Sequence, residues 1–179
     1  MDINYDYISL FKYDIKNINE LLSKIDASLW DINDLRQRMF AVHNKTKSIV
    51  YVWSDFSDET YDNVQVLIPS TDGLHQEVWK IAHEILNRYK EGKITKLMLA
   101  KLNSNSDIPE HMDMGNLTKI HRIHLPIKTN KKCIFSINGN AYNFEEGEVI
   151  EINNQRPHAV QNGEEERIHL ICDILGDMK

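Results

Sequence analysis

Thr118-Lys-Ile-His-Arg-Ile-His-Leu-Pro-Ile127 is the stretch on which the fold turns. Successive side chains of a β-strand point to opposite faces. Read as a strand, it places Ile120, Arg122 and His124 on one face and Ile123, Leu125 and Ile127 on the other. The division recurs near the end of the chain, where Arg167, His169 and Ile171 oppose Ile168, Leu170, Cys172 and Ile174. Between these segments His158, Val160 and Asn162 share a face. Three strands thus carry His or Arg on one side and a more apolar reverse. A barrel with a polar lumen and an apolar outer surface, covered by helices, accounts for that pattern.

Working outward, the spacing predicts strands over Thr95–Asn103, Thr118–Ile127, Cys133–Asn138, Glu148–Asn153, His158–Asn162 and Arg167–Leu175. Turn residues at Asn138–Asn140 and Glu145–Gly147 separate them, which indicates an antiparallel sandwich or barrel. Upstream, Leu74, Val78, Ile81, Ala82, Ile85, Leu86 and Tyr89 form one helical stripe. A helix over Leu74–Glu91 follows, with Asp72 as its cap and Gly92 as its stop, and it should cover the outside of a sheet. Ile18–Ile25 has helical spacing, and Ser48–Trp53 reads as a buried strand. The expected organisation of the 179 residues is one domain: a helix-rich part over 1–93 packing on a β core over 94–176.

Bulk properties exclude several classes. The formal charge of −6 argues against a general nucleic-acid binder. No apolar run is long enough for a transmembrane helix, and the start of the chain lacks the basic and apolar pattern of a secretory signal. A cytoplasmic protein with no membrane partner is expected. Cys133 and Cys172 sit in apolar strand-like runs and read as two reduced buried thiols, with a disulfide as the alternative. Oligomeric state cannot be read from the chain.

The chemistry concentrates in His111-Met-Asp113, followed by His158 and then Arg167. Two histidines and one carboxylate can occupy one face of an octahedral Fe(II), leaving open positions for a co-substrate and dioxygen. His111 and Asp113, two residues apart, can point at one ion, and His158 closes the triad from a distant strand. The same donors also suit Mn, Zn or Ni. Arg167 opens a mostly apolar strand-like run, where a guanidinium is costly unless it meets an anion. Arg122 and His124 could hold a second carboxylate, on the co-substrate or the substrate. Of the other histidines, His75 and His83 read as surface residues and His121 as structural, and His43 could line a pocket.

These residues resemble a known family. The series His111-Met-Asp113, Arg122-Ile-His124-Leu-Pro, Asn138-Gly139, Glu146-Gly-Glu148, His158-Ala-Val-Gln-Asn162 and Arg167-Ile-His-Leu-Ile-Cys-Asp173 looks like the aspartyl/asparaginyl β-hydroxylases. A fainter likeness lies in Trp30–Asp55, at Arg36, His43 and Thr46-Lys-Ser48. The resemblance implies an α+β, mainly β fold: a double-stranded β-helix of the jelly-roll, cupin-like kind with flanking N-terminal helices. It implies an Fe(II)- and 2-oxoglutarate-dependent dioxygenase that hydroxylates an unactivated C–H bond and releases succinate and CO2. His111, Asp113 and His158 would hold the iron, Arg167 the distal carboxylate of 2-oxoglutarate, and Arg122 and His124 would contact the same co-substrate. A hydroxyl residue that helps bind the co-substrate in some members is replaced by Ala100.

Two other readings compete. One is a cupin-like metal enzyme without oxidative chemistry, an isomerase or a lyase, suggested by His158 and Asn162 with Gly147 upstream. The other is a non-catalytic binding module of the same fold. Arg167 discriminates, because it has a clear task only if a dicarboxylate binds. The substrate stays open between an aspartyl or asparaginyl residue, a free amino acid and a related small acid.

Overall fold

Alternating side chains build two antiparallel sheets whose inner faces meet over a shared apolar layer. The computed structural model describes residues 4–54, 56–58, 60–69 and 73–179. In chain order the elements are β1 (Tyr7–Lys12), α1 (Lys16–Leu22), α2 (Leu35–Met39), β2 (Thr46–Trp53), β3 (Gln65–Val66), α3 (Gly73–Leu86), β4 (Tyr89–Leu102), β5 (Asp107–His111), β6 (His121–Lys128), β7 (Ile134–Ile137), β8 (Asn140–Tyr142), β9 (Glu148–Ile152), β10 (His158–Gln161) and β11 (Arg167–Met178). Short 3-10 turns run over Ala27–Asp31, Ala41–His43 and Gly115–Lys119.

The larger sheet has the order β1-β9-β6-β11-β4-β2-β3 and the smaller β5-β10-β7-β8. This is the jelly-roll form of a double-stranded β-helix. The first 93 residues supply β1, β2 and β3 to the larger sheet as well as the helices, so both parts of the chain share its hydrogen bonding.

The outer face of the large sheet carries Leu97, Leu99, Ile123, Leu125, Ile127, Leu170, Cys172 and Ile174. Helix α3 covers it with Leu74, Val78, Ile81, Ala82 and Ile85, and α1 adds Ile18. Burying each Ile, Leu or Val side chain stabilises by roughly 1.5–3 kcal/mol, which makes this stripe the main attachment of the helices. Between the sheets Leu102, Ile150 and Ile152 pack against Ile108, Phe135, Ile137 and Val160.

Two turns show why their residues are there. Asn138 and Gly139 have φ of 53° and 80°, the left-handed pair that a two-residue hairpin between β7 and β8 requires. Gly147 has φ of 80°, and a Cβ there would stand 2.7 Å from the Tyr13 carbonyl oxygen.

The structure shortens the expected helix. It ends at Leu86, and β4 begins at Tyr89, so Gly92 lies inside a strand and does not stop a helix. Tyr89 fits an apolar helical stripe and a strand equally well. Pairing with the chain terminus decides: Tyr89 lies opposite Met178 and Lys93 opposite Leu175, and the Tyr89 hydroxyl donates to Glu151 at 3.0 Å. Asp72, expected as the cap, lies outside the described residues. The strand expected from Thr118 starts at His121, because residues 115–119 form a 3-10 turn.

Candidate metal centre and anion pocket

Strands β5 and β10 are neighbours, and their register sets His111 directly opposite His158. The two rings lie 4.2 Å apart between centroids. Nδ1 of His111 is 2.8 Å from the Pro109 carbonyl oxygen, and Nδ1 of His158 is 2.9 Å from that of Arg156. A carbonyl oxygen only accepts, so each Nδ1 is the donor, and in the neutral imidazole Nε2 then presents the lone pair. Burial pulls the His158 pKa down to about 4, against the opposing pull of the Arg156 carbonyl, so this imidazole is neutral and able to ligate at neutral pH.

Asp113 is fixed from three directions. Its backbone N–H donates to the Asn154 carbonyl at 3.0 Å, and the Asn154 amide donates to Oδ2 at 3.1 Å. Arg122 Nη1 donates to the same Oδ2. These bonds leave Oδ1 for an ion. Ligand atoms of His111, Asp113 and His158 all lie within 4.8 Å of one another, close enough to converge on one cation. Neutral imidazole and carboxylate donors fit a divalent first-row metal.

Beyond the triad, on the inner faces of β6 and β11, lies a second group. Arg167 is 1% exposed, and its Nε and Nη1 have no hydrogen-bond partner among the described residues. Its guanidinium lies 5.3 Å from the centroid of the Phe135 ring. His124 and His169 are within hydrogen-bond distance, Nδ1 to Nδ1 at 3.3 Å, and burial holds both pKa values well below the usual range. One Nδ1 must donate and the other accept, so the two rings are opposite tautomers. Their Nε2 atoms, neither with a partner, therefore present one donor and one acceptor. His43, His111, Asp113, Arg122, His124, His158 and Arg167 all line one cavity, with apolar walls that include Val42, Ile108, Leu117 and Val160.

A family model described as aspartyl/asparaginyl beta-hydroxylase matches residues 18–176. The chain belongs to that hydroxylase family. No curated protein matches it significantly. Among solved structures, a 2OG-Fe(II) oxygenase family oxidoreductase from Burkholderia pseudomallei aligns at 14% identity and TM-score 0.55, covering 96% of each chain. The viral collagen prolyl hydroxylase of Paramecium Bursaria Chlorella virus-1, in its 2OG complex, aligns at 8% identity and TM-score 0.59, again over 96% of each chain. At such identities these two likenesses speak for the fold alone.

The hydroxylase family's sheet places the expected residues in one cavity, and it adds others. Arg122 is fully engaged: Nε and Nη2 donate to the two oxygens of Asp173 at 3.0 and 2.8 Å, while Nη1 holds Asp113. Asp173 is fully buried. Burial alone would raise its pKa, but Arg122 and Lys96, the latter at 3.4 Å, hold it below the carboxylate range. Lys96 is boxed by Phe40, Trp53 and Phe56, and burial brings its pKa down to about 8. Strand parity from Arg167 would have found Asp173, which shares its face. Arg36, on the short helix α2, and Asn154, in a turn, had no periodic signal.

The other histidines also fall into place. His43 lines the cavity, its ring 5.9 Å from that of His111. His121 is structural, bonded to Glu151 at 2.6 Å and to the Gly176 carbonyl at 3.0 Å. His83 is exposed and His75 half-buried on α3. Ala100 pairs across the sheet with Ser48, whose buried hydroxyl has no partner.

Proposed function

We propose that the protein is an Fe(II)- and 2-oxoglutarate-dependent dioxygenase that hydroxylates an unactivated C–H bond of an aspartyl or asparaginyl residue, a free amino acid or a related small acid. The observation that carries the reading is Arg167, a buried guanidinium with two unpartnered nitrogens in the same cavity as a histidine–aspartate–histidine triad. An isomerase or lyase of cupin type gives those donors no task.

His111, Asp113 and His158 would hold the metal. Bound Fe(II) supplies oxidation by dioxygen, coupled to conversion of 2-oxoglutarate to succinate and CO2, with one oxygen atom entering the substrate. The chain's own residues bind, orient and shield. Arg167 takes the distal carboxylate of 2-oxoglutarate through charge-assisted N–H donors. His124 directs Nε2 toward the same co-substrate, and His169 fixes its tautomer. Arg122 acts mainly by aiming Asp113, with Asp173 holding Arg122 in turn. Apolar walls exclude water, which strengthens each of these polar contacts.

Buried free Cys133 and Cys172 suit a reducing, cytoplasmic setting. No helix among the described residues is long and apolar enough to cross a membrane.

The test is a thermal shift on metal-stripped protein with Mn(II), with and without 2-oxoglutarate, followed by succinate release with Fe(II). A ligand at about 100 times its Kd adds roughly 2.7 kcal/mol, or on the order of 5–10 °C for a chain of this size. A metal-dependent shift with 2-oxoglutarate supports the proposal. A metal shift indifferent to 2-oxoglutarate returns the protein to the cupin reading, and no shift with either favours an inactive module.

A further inference from the structure

Lysine is almost never fully buried unless its charge is matched. Lys96 is 5% exposed, lines the cavity from β4, and holds its ammonium in a box of rings. The centroids of Phe56, Trp53 and Phe40 lie 4.4, 5.1 and 5.9 Å from Nζ. Its carboxylate partner is Asp173, at 3.4 Å. No ion pair joins Lys96 to Asp113 among the described residues, so any effect on the triad passes through Asp173.

The register of the large sheet builds that connection. Asp173 on β11 lies opposite Lys96 on β4 and opposite Arg122 on β6. The three residues form one row across neighbouring strands. Arg122 grips both Asp173 oxygens through Nε and Nη2, and reaches Asp113 Oδ2 with Nη1. Cation and carboxylate thus alternate from Lys96 through Asp173 and Arg122 to Asp113, two of each. Without Lys96 one guanidinium would serve two carboxylates, and Asp173 is fully buried. A buried charge short of a partner is costly. Asp173 would draw the guanidinium toward itself, and Nη1 would lose its hold on Asp113.

The box is bound to the same centre from its other side. Phe56 has a φ of 58°, an outlier for a bulky residue, of a kind that persists only where the surroundings impose it. Its ring is the nearest of the three to Lys96, and its carbonyl accepts from the Asn116 amide at 2.9 Å. Asn116 lies three residues beyond Asp113, beside the cavity-lining Leu117. The strained loop therefore seats the lysine and ties down the segment that carries the ligand.

We propose that Lys96 is a positioning residue for the metal centre: seated in its aromatic box, it balances Asp173, so that Arg122 can hold Asp113 with Oδ1 turned to the ion. This rests on His111, Asp113 and His158 as the metal ligands and deepens that reading.

Sign separates positioning from a through-space effect. Removing a positive charge beside a cation site tightens metal binding by Coulomb's law alone. Loss of positioning weakens it. The experiment titrates Mn(II) into metal-stripped full-length protein at pH 7, below the Lys96 pKa of about 8, and reads free Mn(II) by electron paramagnetic resonance. In Lys96→Met the Kd should rise about tenfold, the lower end of the cost of losing a ligand's supporting partner. Lys96→Arg, which keeps the charge, should restore part of it. Asp173→Asn should also raise Kd, and adding Lys96→Met to it should raise Kd no further, because the lysine acts through that carboxylate. Ile81→Ala, buried under α3, is the control for general loss of stability: Tm falls and Kd stays. Should Lys96→Met not fold, Lys96→Gln takes its place in each comparison. The proposal is overturned if loss of the lysine leaves Kd unchanged or lowers it, if its effect adds in full to that of Asp173→Asn, or if Ile81→Ala raises Kd as much. A wild type that binds no Mn(II) overturns the metal-centre reading instead, and this is seen before any variant is measured.

Discussion

Replacing Arg167 by methionine separates the cost of a buried charge from its use. Methionine keeps an unbranched stem and removes the guanidinium, which lies 5.3 Å from the Phe135 centroid with Nε and Nη1 unpartnered. In the ligand-free protein the change forfeits a desolvated cation–π contact of about 2 kcal/mol. It also relieves the burial of an unpaired charge, an effective penalty of several kcal/mol. The second effect is the larger, so ligand-free Arg167→Met should melt at or above the wild-type temperature. Binding moves the other way. Two charge-assisted hydrogen bonds to a carboxylate contribute about 1.5–3 kcal/mol each, roughly 3–6 kcal/mol together. At 1.4 kcal/mol per tenfold, the Kd for 2-oxoglutarate should rise by about 10²–10⁴. Calorimetric titration of 2-oxoglutarate into Mn(II)-loaded protein measures this, with Mn(II) affinity followed separately by electron paramagnetic resonance and expected to be unchanged. A rise in Kd below about threefold would refute the reasoning, and so would a lowered Tm in the ligand-free variant.

Asp113→Ala or His158→Ala should abolish succinate formation at matched iron loading; wild-type-like turnover in either variant would remove that residue from the triad. The buried imidazoles set an acid limit: the folded pKa of His158 is about 4, and those of His43, His124 and His169 are also depressed. Between about pH 4 and the ordinary histidine value near 6.5 the unfolded chain binds more protons, so stability falls as pH drops through that window. His158 alone accounts for on the order of 3 kcal/mol, and urea titrations at pH 7 and pH 4.5 should show the loss. Ile81→Ala empties a fully buried position between α3 and the sheet and should cost roughly 2–5 kcal/mol in urea unfolding while sparing 2-oxoglutarate affinity. A matching fall in that affinity would mean the helix layer also shapes the cavity.

Much of the inner surface was legible in one dimension. Alternation at Ile120–Ile127 and Arg167–Ile174 told which side chains face the lumen, because a strand's period of two is a local property of the backbone. The structure puts Arg122, His124, Arg167 and His169 inward and Ile123, Leu125, Leu170 and Cys172 outward under α1 and α3. The end of the long helix was not legible. Leu86 and Tyr89 satisfy helical and strand patterns alike, and pairing with residues near the chain terminus settled the matter.

By itself, then, the sequence pointed to an antiparallel sandwich or barrel with a polar lumen, to His111, Asp113 and His158 as donors able to share one ion, and to an arginine that needs an anion. Those follow from residue chemistry and short-range periodicity. Tertiary structure decided which cations are already matched. Arg122 and Arg167 are alike in sequence, each in a strand beside histidine and isoleucine. Only the approach of Asp113 and Asp173 to one of them, with Lys96 joining Asp173, shows that Arg122 is satisfied while Arg167 and Arg36 are left with unmatched donors. Whether a buried charge has a partner depends on distances between strands and helices far apart in the chain, and no local pattern encodes those distances.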